Sequence, residues 1–164
     1  MVISSSNSHS KSNPKVVEIC SPNKKNFKRF RQNGQIQIYQ SQYRGSYSSI
    51  IRDCLRNAAL GRKVLLVQFI KGGVNQGISN PVKLCGNLTW IRSSHSFDLY
   101  DSVEVKNNKN LKKSIHDSTF ELWNFCKKEL LSGEYDQIIL DEIFLAIEMK
   151  IIEKDDLIST LENR

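Results

Sequence analysis

Long apolar runs are missing from this 164-residue chain. The richest stretch, Val64 to Ile70, is seven residues long and contains Gln68. A helix that crosses a bilayer needs roughly 18–20 apolar residues, so no membrane span is expected. Cysteine pairs are missing as well. Cys20, Cys54, Cys85 and Cys126 form no Cys-x-x-Cys, and His9, His95 and His116 do not cluster with them. A zinc site or redox motif is therefore not expected. The start, Met1-Val-Ile-Ser-Ser-Ser, has neither a basic n-region nor an apolar h-region, so it does not read as a secretory signal. A reducing cytoplasm follows as the expectation, with free thiols packing as small apolar groups.

The composition is that of a globular protein, 39% hydrophobic and 25% charged, with one domain's worth of chain. Collagen, low-complexity fibre and disulfide scaffold are excluded. The net charge of +7 is unevenly placed. Lys11, Lys15, Lys24, Lys25, Lys28, Arg29 and Arg31 against Glu18 give residues 1–34 six of those charges, and the rest carries one. Residues 1–33 are rich in serine and poor in apolar residues, so burial cannot offset the entropy of ordering them. They read as a disordered basic leader. Such a tail can touch nucleic acid by charge alone, but the solvated-leader reading is preferred and nucleic acid is not expected as a partner.

From residue 34 the pattern is that of an α/β domain. Gln35-Ile-Gln-Ile-Tyr39 alternates as a short strand does. Ile50, Ile51, Cys54, Leu55, Ala58 and Ala59 recur at helical spacing, and Gly61 fits the C′ position. Lys63 to Ile70 is almost continuously apolar, as in a parallel strand covered on both faces. Residues 71–87 read as loop, 87–91 as a short strand and 92–110 as a polar loop. A helix from Leu111 to Ser132-Gly133, a strand at Gln137–Asp141, a short helix over Ile143–Met149 and a last helix from about Glu153 to Asn163 complete the chain. The order predicts a doubly wound, mainly parallel sheet with helices on both faces.

Three constellations could carry chemistry. In this architecture the turn between the first strand and helix binds phosphate on backbone N–H groups. The full loop reads Gly-x-x-x-x-Gly-Lys-Ser/Thr, whereas Ser41-Gln-Tyr-Arg44-Gly45-Ser46-Tyr47-Ser48 retains one glycine of it. Asp141-Glu142 ends an apolar strand, where an acid can stand beside a phosphate-bound magnesium. Many buried strands also leave through an acid with no such role. Trp90 sits on a short strand, where core packing is the ordinary role and a wall for a flat apolar ligand the other. No Ser/His/Asp or Cys/His arrangement can be argued, so no catalytic residue is assigned.

Taken together these pieces resemble the ATP:corrinoid adenosyltransferase family. The phrase Gly61-Arg-Lys-Val-Leu-Leu-Val-Gln-Phe-Ile-Lys-Gly72 resembles its second-strand segment. Ile38-Tyr39, Leu55-Arg56, Trp123 at 18 residues before Asp141, Asp136, Leu140-Asp-Glu-Ile143 and the ending Leu161-Glu-Asn-Arg164 fall in the same order. The similarity covers about residues 34–164. It implies a P-loop NTPase-like fold and transfer of the 5′-deoxyadenosyl group of ATP to the cobalt of a reduced corrinoid, in adenosylcobalamin biosynthesis. It implies nucleotide contacts at Arg44, Gly45 and Ser48, a corrin face against Trp90, and magnesium on Glu142.

The departures are as informative. The family's phosphate loop reads Gly-Asn-Gly-Lys-Gly-Lys-Thr-Thr, and its lysine and metal-binding threonine become Ser46 and Tyr47. A charge-assisted hydrogen bond is worth about 1.5–3 kcal/mol, so losing the lysine weakens ATP binding about 10- to 150-fold. Ser41 and Tyr43 place Cβ atoms where glycine lets phosphate approach. In the family's Phe-x-Trp, Leu88-Thr89-Trp90 keeps the tryptophan alone. Members continue after the Asn-Arg with a strand and a helix, so a short end is expected here. A truncated gene, a homodimer partner that supplies the strand, and a branch without it all stay open. An impaired enzyme is the first reading, and a non-catalytic corrinoid- or protein-binding relative the second.

Overall fold

The computed structural model describes residues 34–40, 48–72, 74–94 and 109–164. The chain divides into two units, Met1–Gln40 and Ser41–Arg164. In the first, residues 34–40 form neither strand nor helix, so the strand expected at Gln35–Tyr39 is not found. The physical reason is visible in its side chains. Ile36 and Ile38 are 52% and 72% exposed, so the alternation buries nothing that would fix a strand. Instead Gln35, Gln37 and Tyr39 link to one another, with Gln37 Nε2 donating to Gln35 Oε1 and the Tyr39 hydroxyl to Gln37 Oε1. The leader at 1–33 lies outside the described residues.

The second unit opens with helix α1, Ser48–Ala59. Its Cys54 and Ala58 are buried, one turn apart on the apolar stripe. It stops where the sequence said it should. Gly61 takes a φ of +88°, its N–H reaches the Ala58 carbonyl, and the Arg62 N–H reaches that of Asn57. Those two bonds are the Schellman closure, which a residue with a Cβ would strain.

Four strands follow the order β2-β3-β1-β4 across one sheet. They are β1 Val64–Gln68, β2 Val82–Leu84, β3 Leu88–Arg92 and β4 Gln137–Asp141. The central β1 pairs in parallel with both β3 and β4, while β2 joins β3 antiparallel. Strand β2 lies inside the segment expected to be loop. Three residues are too short for alternation to register, and the strand depends on a hairpin in which Cys85 and Gly86 both take positive φ. Beyond its end, Gln76 continues the edge. Its main-chain carbonyl accepts from the Arg92 N–H and its Nε2 donates to the Trp90 carbonyl.

All five residues of β1 are buried, and they alternate between two cores. Leu65 and Val67 face the larger one, with Phe69, Ile91, Leu122, Trp123, Cys126, Ile143 and Ala146. Helices α2 (Lys109–Ser132), α3 (Ile143–Glu148) and α4 (Lys154–Glu162) supply its cover. Val64 and Leu66 face the smaller one, with Cys54, Ala58 and Leu88 under α1. Helices therefore cover both faces of a mainly parallel sheet, as the continuous apolar run predicted.

Candidate functional site

Ligands of open parallel sheets collect at the carboxyl ends of the strands. Register decides which side chains meet there. Leu66 stands opposite Trp90, and Gln68 stands between Arg92 on β3 and Asp141 on β4. Residues two apart on a strand share a face, so Trp90, Arg92, Gln68 and Asp141 all lie on the side of the sheet that Leu66 presents to α1.

Their hydrogen bonds form one chain. Gln68 is 1% exposed, and a buried amide must spend its polar groups on partners. Its Oε1 accepts from Trp90 Nε1 at 2.9 Å and from Arg92 Nε at 2.7 Å. Its Nε2 donates to Asp141 Oδ2 at 2.7 Å. Lys71 Nζ donates to that same oxygen at 3.0 Å and stands 4.0 Å from Glu142 Oε1. The Arg92 guanidinium lies over the Trp90 ring, 4.8 Å from its centroid. Cation–π stacking at that distance contributes about 0.5–2 kcal/mol.

Glu142 occupies a special place. It leaves β4 in the left-handed region, with φ 63° and ψ 21°, as the residue before α3. Its side chain is only 7% exposed. The sequence-predicted residues thus fare differently. Trp90 and Glu142 are joined through Gln68, Asp141 and Lys71. Ser48 opens α1, is exposed, and has no bond to this chain among the described residues. Arg44 and Gly45 lie outside the described residues.

Three members of the cluster carried no sequence-based role. Gln68 offered a signal, a polar residue inside an otherwise apolar strand. Lys71 follows that strand by three residues. Arg92 falls where the polar loop was expected to begin, and only its pairing with Gln68 reveals it as a strand residue.

Whether the acids suit a magnesium ion depends on their donor set. Among the described residues no group of three or more His, Cys, Asp or Glu could cage a metal. Two adjacent carboxylates do match the usual magnesium site, in which one or two acids share the ion with phosphate oxygens and water. The lysine ammonium that bridges both carboxylates shows that the spot favours positive charge. Asp141 and Glu142 therefore fit an ion carried in largely by a nucleotide's phosphates.

The two buried thiols do not supply a nucleophile here. Burial pushes the Cys54 thiol up to about 11 and raises that of Cys126 further, so neither forms thiolate near neutral pH. A shallow polar depression elsewhere, along α2, is lined by Asn110, Lys113, Asp117 and Glu121 and by none of the site residues.

The fold and this cluster define an α/β protein with a mostly parallel sheet, a half-buried tryptophan bonded to Gln68, and an acid pair where β4 ends. The family model for ATP:corrinoid adenosyltransferase BtuR/CobO/CobP matches residues 32–164, and the chain belongs to that family. No curated protein matches the chain. Among the described residues no helix is long and apolar enough to cross a membrane.

Proposed function

We propose that this chain transfers the 5′-deoxyadenosyl group of ATP to the cobalt of a reduced corrinoid, with a weakened hold on the nucleotide. The observation that carries this reading is the register that sets Trp90, Gln68 and Asp141 on one face of the sheet, with Gln68 hydrogen-bonded to both. A half-buried indole suits the flat apolar underside of a corrin. In the reaction the cobalt–carbon bond forms as the C5′–oxygen bond of ATP breaks, and the electron pair leaves with the triphosphate. Glu142, with Asp141 beside it, would hold a magnesium ion, which would supply charge neutralisation on the departing triphosphate. Arg44, Gly45 and Ser48 are the nucleotide contacts that the family's phosphate-loop sequence assigns.

Ser46 and Tyr47 set the weakness, as argued from their size and charge. They also support a second reading, in which the scaffold binds a corrinoid without turning it over. One assay separates the two. Cob(II)alamin reduced to cob(I)alamin by an added chemical reductant, with MgATP, gives the light-sensitive adenosylated product on the first reading. On the second it gives a corrinoid spectral shift and no product. Absence of both from soluble folded protein removes the corrinoid assignment. By calorimetry, ATP binding is expected to be weaker than micromolar, and micromolar affinity in the presence of magnesium would show that the loop substitutions do not matter.

A further inference from the structure

A buried amide in the middle of a site can serve the core or serve the ligand. Gln68 is placed for the second. Its oxygen faces two N–H donors, Trp90 Nε1 and Arg92 Nε, and its nitrogen faces the Asp141 carboxylate. The reversed amide would set donors against donors and an oxygen against a carboxylate, so only one orientation is allowed. Through that orientation one side chain governs groups on both neighbouring strands. Had the position needed only to fill space, an aliphatic residue like those at Val64 and Leu66 would pack there without polar demands.

We propose that Gln68 is a positioning residue, which locks the Trp90 ring under Arg92 and turns Asp141 so that one carboxylate oxygen is left for the ligand. Asp141 Oδ2 is taken by Gln68 and Lys71, while Oδ1 accepts no hydrogen bond among the described residues. Arg92 lies over the indole, and the ring packs in part on the smaller core, so a flat ligand meets the portion that stays exposed. The ring and the acid therefore hold a fixed relation before any ligand arrives, and a ligand must be flat at one end and bring an anion-bound cation or a hydrogen-bond donor at the other. The identity of that ligand as a corrinoid with a nucleotide rests on the function proposed above. The positioning does not.

The two tryptophans make the test specific, since Trp123 donates its own indole N–H to Asp156, away from the site. In ¹⁵N-labelled full-length protein, Gln68→Met keeps the volume and removes the acceptor. The Trp90 indole N–H resonance, assigned with Trp90→Phe, is expected to move while that of Trp123 stays. Affinity for cob(II)alamin, read by spectral titration, is expected to fall about 10- to 100-fold, the usual cost of losing a supporting partner. An unmoved Trp90 resonance, or equal movement of both, overturns the proposal. Should Gln68→Met not fold, solvent exchange of the wild-type indole protons decides. Slow exchange at Trp90 supports the lock, and exchange at the rate of a free indole overturns it. If wild-type protein ignores cob(II)alamin while Gln68→Met still moves the Trp90 resonance, the corrinoid assignment is lost and the positioning stands.

Discussion

The two tryptophans of this chain are built alike and differ in what surrounds them. Each donates its indole N–H at 2.7–2.9 Å, and each carries a cation near its ring, Lys127 for Trp123 and Arg92 for Trp90. Trp123 is fully buried against Phe69, with ring centroids 6.5 Å apart, and its acceptor Asp156 comes from the last helix. Trp90 is half-buried, and its acceptor is a neutral amide that also serves an arginine and an acid. One ring fastens helices to the sheet. The other sits midway along β3, opposite Leu66, bonded to an amide under Arg92 and packed in part on the smaller core. The contrast shows that a tryptophan's neighbours, more than its N–H bond, separate a ring enclosed in the core from one tied into a polar cluster.

The contrast sets the largest effect expected. Trp123→Ala empties the centre of the larger core and is expected to cost about 3–5 kcal/mol in urea unfolding. Trp90→Ala is expected to cost less than about 2 kcal/mol and yet to abolish the cob(II)alamin spectral shift. Equal destabilisation by the two changes would erase the distinction.

A smaller effect concerns the acceptors. The Trp123 indole bond, followed by the Lys127 bond, holds the Asp156 carboxyl below the usual carboxylate range. A group whose folded pKa is depressed adds stability above its unfolded pKa, about 3.9, and that stability is lost as pH falls through the folded value. Asp156 is partly exposed, its side chain 39% open, so screening keeps the contribution below about 1 kcal/mol. Asp156→Asn is expected to lower the urea midpoint slightly at pH 7, and the gap from wild type should narrow as pH falls below the unfolded value. A gap that widened in acid would mean the carboxylate is not the stabilised form.

The smallest effect touches only reactivity. Cys85 is exposed in the β2–β3 turn, whereas Cys54 and Cys126 are buried. A thiol reagent at pH 8 is expected to modify Cys85 quickly and these two only on unfolding, as peptide mapping would show.

Much of the fold was legible because it depends on local pattern. The helical spacing of Ile50 to Ala58 with its closing Gly61, the buried run of β1, and β4 ending at Asp141 are each carried by neighbours in sequence. Strand β2 was not legible, since three residues carry no period and their hairpin depends on left-handed Cys85. Gln35–Tyr39 shows the opposite failure, a period without burial to enforce it. At the site, Trp90 and Glu142 stood out by their places on or after a short strand, and the family resemblance supplied the roles expected of them. The bonds that join them were hidden, because Gln68 meets Trp90 across 22 positions and Asp141 across 73. Only parallel pairing closes such distances.

Glu142 bends the main chain in a way that suits glycine better than any residue with a Cβ. For an L-residue that bend costs roughly 1–2 kcal/mol. A chain that merely had to pass from β4 into α3 would gain by discarding the carboxylate. Glutamate at this corner thus makes folding and chemistry compete at a single position, and the most stable version of this protein would be one stripped of the acid its proposed reaction uses.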